Sequence, residues 1–272
     1  MKIYKKHKKY IYIFFIITIL TIYLLYKINT NTEYFIDNNN AYVINLDERN
    51  DRWNQIQESF KDSNISLVRI SAVKHKIGHI GCGLSFMKIV RLAKEKKLKT
   101  VLIFEDDNKP LDNFDQRWST IKNWLDNNLD KWEVFNGGAR FENWDSIINE
   151  EIPESCKNIK LVNNINNEEY LFRNDTTVST NWIYINSSVY DKVLKWETKI
   201  DYKNFNLFTE AIDRYITNSE KFNVKFCLPL LGLQQNGLSD TNDNTTHFND
   251  FNKSDNLIAK IYKKVYEKHV II

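Results

Sequence analysis

The sequence predicts one α/β domain built on a mainly parallel central sheet, preceded by a single membrane-spanning helix. Three observations carry that expectation. Short apolar runs alternate with stretches of helical period from residue 41 onward, as when strands are connected by crossover helices. One of those runs, at 100–104 (TVLIF), has no outward-facing polar position for most of its length and reads as a strand covered on both faces. Residues 10–26 hold no charged side chain at all.

The N-terminal run (YIYIFFIITILTIYLLY) comes close to spanning a hydrocarbon core of about 30 Å at roughly 1.5 Å per residue. Lys2, Lys5, Lys6, Lys8 and Lys9 precede it, and Tyr10, Tyr12, Tyr23 and Tyr26 suit the interfacial belts at its ends. No small-residue cleavage site follows, so the segment reads as a signal anchor rather than a cleaved leader. Residues 1–9 are then a cytoplasmic basic tail and 27–40 a polar stalk. Residues 41–272 form the domain on the lumenal or external side of an ER/Golgi-type or viral membrane, in type II orientation.

Within the domain, 41–46 (AYVINL) is a strand closing on the turn-forming 47–50, and a helix follows over 51–61 with Asp51 near its cap. A second strand covers 67–72. Phe86, Ile89, Val90 and Ala93 set a helical stripe over 84–97, introduced by Gly81-Cys82-Gly83. Strands are expected at 132–135, 181–185 and 224–228, and helices at 187–196, 205–218 and 254–269. No internal repeat or Pro/Gly-rich linker divides the region.

Composition excludes several classes. With 42% hydrophobic and 14% aromatic residues, the chain has enough apolar surface to fold, so disorder does not describe it. Net charge is +3, but six Lys precede residue 28, and the rest of the chain has 32 basic against 35 acidic residues. A nucleic-acid binder concentrates base on its folded part, so nucleic acid is not an expected partner. Cys82, Cys156 and Cys227 allow at most one disulfide, and no two have the spacing of a zinc pair.

Three segments hold the chemistry. Strand 100–104 ends in Glu105, Asp106 and Asp107, whose mutual repulsion a divalent cation with hard oxygen ligands, Mg²⁺ or Mn²⁺, would relieve. A solvated acidic turn would read the same way. Arg49 and Arg52 lie just past the first strand, spaced to hold a pyrophosphate, or else simply on a solvated face. Glu210 and Asp213, three apart on the expected 205–218 helix, would share a face, as a general base for an acceptor hydroxyl or as an exposed acidic surface.

Together these segments resemble glycosyltransferase family 25, which includes lipooligosaccharide galactosyltransferases of bacteria and procollagen galactosyltransferases of animals. The resemblance runs through an opening Val-Ile-Asn-Leu-x-x-Arg-x-x-Arg pattern at 43–52 and a Gly-Cys-x-Leu-Ser pattern at 81–85, followed by Phe86 where the family has His. It continues through Leu-Ile-x-Glu-Asp-Asp at 102–107, a strand with its helix at 182–195 and an acidic helix at 210–215. It closes on Pro229, Gln234 or Gln235, and Ser239-Asp240. It implies a GT-A-like single domain that transfers a hexose, galactose or glucose, from a UDP-sugar to a glycan or protein hydroxyl, with inversion. By the same resemblance Mn²⁺ (or Mg²⁺) would be held by Asp107, with Asp106 and Glu105 beside it and His247 adding a ligand. Asn45, Arg49, Arg52 and Ser85 would lie near the nucleotide, and Asp213, with Glu210 as substitute, would activate the acceptor. The alternative is a membrane-anchored glycan- or nucleotide-sugar-binding protein that kept the fold and lost turnover.

The orientation is checkable directly. Protease added outside sealed microsomes carrying the full chain is expected to spare residues 41–272, and digestion of that domain from outside would reverse the topology.

Overall fold

Alternation along the strands sorts the domain into layers. The computed structural model describes residues 16–21, 39–141, 160–165, 170–173, 177–228 and 230–235. The chain divides into two compact units, Met1–Asn40 and Ala41–Ile272. In the first, residues 16–21 are helical, with Ile16, Ile17, Ile19 and Leu20 each more than half exposed. The rest of the 10–26 run lies outside the described residues, and no helix among the described residues is long and apolar enough to cross a membrane.

The second unit opens with β1 (Asn40–Asn45), α1 (Asn50–Ser59), β2 (Ser66–Ser71), α2 (Gly78–Glu95) and β3 (Thr100–Glu105). Next come β4 (Asn108–Pro110), α3 (Phe114–Asn127), β5 (Val134–Asn136), β6 (Arg140–Phe141), β7 (Lys160–Asn164), β8 (Tyr170–Arg173) and β9 (Thr177–Val178). β10 (Trp182–Asn186) leads into α4 (Tyr190–Leu194), flanked by short 3₁₀ turns, then α5 (Leu207–Glu210), α6 (Ile212–Ile216), β11 (Val224–Leu228) and β12 (Gly232–Gln234).

The eight-stranded sheet has the order β2-β1-β3-β10-β5-β11-β8-β7. β1 and β3 pair in parallel, as do β5 and β11, whereas β10 and β8 run antiparallel to both of their neighbours. From β1 to β7, then, all strands but β10 and β8 share one direction: mainly parallel in sense, mixed in pairing. Two small ribbons, β4–β12 and β6–β9, stand beside it.

Ala41, Val43, Leu102, Phe104, Trp182 and Tyr184 face one side, where Ile56 and Phe60 at α1 and Phe114, Trp118, Ile121 and Leu125 of α3 cover them. Aromatic rings fill this layer: Trp118 meets Trp182 edge to face at 4.7 Å, and Phe60 stacks on Phe104 at 5.2 Å. The intervening Tyr42, Ile44, Val101, Ile103, Ile183 and Ile185 are also buried, and α2 packs on β3 with Phe86, Met87, Ile89 and Val90 inside. Strand β3 is covered on both faces, as its apolar run predicts.

The structure corrects three of the expected elements. Helix α2 begins at Gly78, three residues before the expected Gly-Cys-Gly introduction, which lies within it. These glycines are required by proximity: a Cβ on Gly83 would sit 2.0 Å from the Trp196 ring, and one on Gly81 2.6 Å from the Val73 carbonyl. The expected 205–218 helix is two short ones, broken at Ala211 (ψ 143°), where Trp196 Nε1 donates to the Glu210 carbonyl at 2.7 Å. Helix α3 goes unmarked in the sequence reading, although Phe114, Trp118, Ile121 and Leu125 form a helical stripe. Its start, at left-handed Asn113, has no side-chain cap. The expected 254–269 helix lies outside the described residues.

Because Trp196 is fully buried, Gly83→Ala is expected to destabilise the domain by about 1–3 kcal/mol through overpacking, despite alanine's better helix propensity. A Tm equal to or above that of the wild type would show that the ring yields.

Candidate functional site

The parallel register of β1 and β3 fixes where the site forms. Ala41 lies opposite Leu102 and Ile44 opposite Glu105, so both strands end side by side and release Asn45 and Asp106 next to each other. Asn45 Nδ2 donates to Asp106 Oδ2 at 2.6 Å and to the Arg49 carbonyl at 3.1 Å. Arg52, one turn into α1, then reaches back over both strand ends. Its Nη1 donates to Asp106 Oδ1 and to Asp107 Oδ2, each at 3.0 Å, and all three residues are at least nine-tenths buried. From the β4–β12 ribbon Gln234 Nε2 donates to the same Asp107 Oδ2 at 2.9 Å. The neighbouring Gln235 donates its backbone N–H to the Asp107 carbonyl at 2.6 Å, and its side chain is tied to Ser59, Gln55 and the Asn108 carbonyl.

One guanidinium faces three carboxylates, and the imbalance is visible in their acidities. Glu105 is pushed up to about 8, first by burial and then by the Asp107 charge, against the hydrogen bond that Thr180 Oγ1 donates at 2.5 Å. Asp106 rises to about 6 for the same two reasons, with Arg52 and Asn45 pulling the other way. Burial works against the Arg52 charge, but the Asp107 and Asp106 carboxylates outweigh it and hold its pKa above the usual value. Cys82 lies in the same field, and burial followed by Glu105 and Asp213 drives its thiol far up, so it is no nucleophile.

Just before β10, Ser179 adopts φ 82°, a left-handed conformation disfavoured for a non-glycine residue. The strain has a consequence on each side. The Ser179 N–H points to Asp213 Oδ2 at 3.3 Å, and the next residue, Thr180, engages Glu105. Asp213 is thereby linked through Ser179 and Thr180 to Glu105, and its charge adds to those that raise Glu105.

These groups surround a cavity of about 320 Å³ lined by Arg52, Cys82, Glu105, Asp106, Asp107 and Gln234, with Lys74 and His75 at its rim. Of the site residues expected from sequence, Asn45, Arg52 and the three carboxylates are brought together. Arg49 pairs with Asp51 at 2.9 Å. Ser85 is buried away from the cavity, donating to the Gly81 carbonyl at 2.6 Å and accepting from Val73 N–H at 2.7 Å, so it holds the cavity wall rather than facing it. Glu210 does not share a helix face with Asp213, and both its oxygens accept backbone N–H groups, from Asp201 at 2.8 Å and Asn206 at 2.5 Å. His247 lies outside the described residues. The sequence reading missed Thr180, Lys74 and His75. A strained serine leaves no compositional trace, and the loop before α2 reads as merely basic.

The donor set fits a divalent cation of the hard class. Asp107 Oδ1 is a buried oxygen with no hydrogen-bond partner among the described residues, beside a surplus of negative charge. Among the described residues no three Asp, Glu, His or Cys side chains converge into a closed metal cage. Mg²⁺-type ions do not need one, because one or two carboxylates with waters and substrate phosphates complete their shell.

No family model matches the chain, and no curated protein does. Among solved structures, the inositol-1-phosphate CTP transferase from T. maritima is similar over 82% of this chain and 77% of its own, at 10% identity and a TM-score of 0.36. A likeness that loose carries no argument about fold or activity.

The acidities give a signed test. Because the folded pKa of Glu105 (about 8) lies above its ordinary 4.5, the folded state holds the proton more tightly, and stability falls as pH rises through that window. In metal-free buffer, thermal unfolding is expected to show Tm decreasing from about pH 5 to 8, with a shallower slope in Glu105→Gln. An unchanged slope in the variant would move the cost to another group.

Proposed function

We propose that the chain is a glycosyltransferase with a GT-A-like domain, moving galactose or glucose from a UDP-sugar to a hydroxyl of a glycan or protein acceptor, with inversion, at the end of a type II membrane anchor. The observation that carries this reading is convergence. Segments 43–52, 81–85 and 102–107, together with Gln234, lie far apart in sequence, support the family resemblance independently, and all line one cavity. The cavity lies at the C-terminal ends of parallel strands, where α/β sheets bind ligands.

Several roles differ from those the resemblance implies. Asn45 and Arg52 act through Asp106 and Asp107, fixing the carboxylates rather than holding phosphate themselves. Lys74 at the rim, ion-paired with Glu48, is the basic group that would turn toward a diphosphate. When bound, a divalent cation at Asp107 would neutralise the diphosphate leaving group. Asp213 takes the acceptor hydroxyl proton. The acceptor oxygen then forms its bond to the anomeric carbon as the bond to the phosphate oxygen breaks, and the electron pair leaves with UDP.

A nucleotide-sugar-binding protein without turnover is the second reading, favoured by one observation. Arg52 already places a cation between Asp106 and Asp107.

Kinetics of the full chain separate these readings. Mn²⁺-dependent hydrolysis of UDP-galactose or UDP-glucose is expected from the wild type, falling by about 10²–10³ in Asp107→Asn. Asp213→Asn is expected to bind donor normally while transfer to methyl glycosides falls by roughly 10²–10⁴. Absence of turnover in the wild type, with UDP-sugar still bound, would favour the binding protein.

A further inference from the structure

The domain displays large apolar side chains beside the cleft at a place where nothing in the fold requires them. Phe208 is 74% exposed and Tyr202 46%, and Leu207 precedes Phe208 on α5. Exposed rings on a mobile loop would mean little, but this segment is tightly pinned. The Glu210 carboxylate takes the N–H groups of Asp201 and Asn206, closing the loop at both ends. Asp201 Oδ1 takes those of Lys203 and Asn204, and Asn206 Oδ1 caps α5 through the Phe208 N–H at 2.9 Å. The rings are therefore held outward by a preorganised scaffold.

That scaffold reaches the cavity through Tyr202 and the Asp213 segment through Phe208. The Tyr202 ring lies against His75, a residue of the cavity rim, with centroids 6.5 Å apart. On the other side Arg214 stands over the Phe208 ring at 5.7 Å, and Arg214 follows Asp213 directly in α6. A few side chains are too little surface for a protein partner, which buries about 800 Å² on each side. They suit a ligand with one apolar face and a polar edge. A pyranose ring has that form: its axial C–H face stacks on an aromatic ring while its hydroxyls reach the polar groups around it. Asp201, Lys203, Asn204 and Arg214 supply that polar rim.

We propose that Tyr202 and Phe208 form a sugar-stacking subsite for the acceptor, placed so that a hydroxyl of the stacked sugar points toward Asp213. The subsite rests on the transferase reading for its role but not for its existence. It also gives Glu210 a purpose: a positioning residue that sets the platform, not a second base.

Saturation-transfer NMR on the full chain with methyl galactoside, glucoside and N-acetylglucosaminide tests it. At least one glycoside is expected to receive saturation through its ring C–H protons. Its affinity should fall on the order of tenfold in Phe208→Ala and recover in Phe208→Trp, which keeps an aromatic face. Phe208 is so exposed that truncation should leave Tm near wild type. Glycosides that do not bind, or bind Phe208→Ala as well as wild type, would overturn the subsite. So would wild-type self-association in sedimentation that Phe208→Ala abolishes, because a second copy would then be the occupant. UDP-sugar hydrolysis by the wild type is read separately. Phe208-dependent glycoside binding without hydrolysis would leave the subsite standing and remove the transferase reading, and hydrolysis with binding indifferent to Phe208 would do the reverse.

Discussion

The end of the sheet is organised by one buried guanidinium. Arg52 spans from α1 to the end of β3 and neutralises two carboxylates that the backbone places side by side. Removing one partner of such a buried cluster generally costs about 3–5 kcal/mol, because it leaves a charge without compensation. The surrounding features follow from it. Asn45 is held between the Asp106 carboxylate and the Arg49 carbonyl, Gln234 brings the β4–β12 ribbon against Asp107, and Glu105 is left with a neutral donor, Thr180, as its compensation. With Glu105 holding its proton toward about pH 8, the cluster still sets one guanidinium against the Asp106 and Asp107 carboxylates, and Asp107 Oδ1 has no hydrogen-bond partner among the described residues, which favours a cationic ligand over an isolated structural role.

The sequence discloses the sheet better than the helices, for physical reasons. Strands β1, β3 and β11 are short apolar runs bounded by polar turns, and burial on both faces leaves few alternatives for such a run. Helix limits depend on tertiary neighbours. Gly81 and Gly83 look like a loop because glycine is a poor helix former, yet here they make room for the Val73 carbonyl and the Trp196 ring. Ala211 looks like helix interior, and only the Trp196 hydrogen bond to the Glu210 carbonyl shows why the chain turns there.

The site was legible as a set of residue types and not as a set of contacts. Glu105, Asp106 and Asp107 stand out because adjacent carboxylates after a buried strand are costly without a partner. Arg52 stands out too, but sequence spacing cannot say whether a guanidinium meets phosphate or a carboxylate 54 residues on. Glu210 carries the same charge as Asp213 and both accept backbone N–H groups, but Glu210 closes the 201–206 loop whereas Asp213 meets Ser179, next to the Thr180 that engages Glu105, a difference of place that sequence does not reveal. Ser179 and Thr180 were invisible, since their contribution comes from a positive φ in a residue with no conformational signature.

The central claim is that this cleft binds a nucleoside diphosphate through a divalent cation. Calorimetric titration of UDP into the full chain, first with Mn²⁺ and then with EDTA, tests it most directly. The account predicts saturable binding with Mn²⁺ that weakens at least about tenfold, or 1.4 kcal/mol, on chelation. Equal affinity in EDTA, or no binding under either condition, would contradict it.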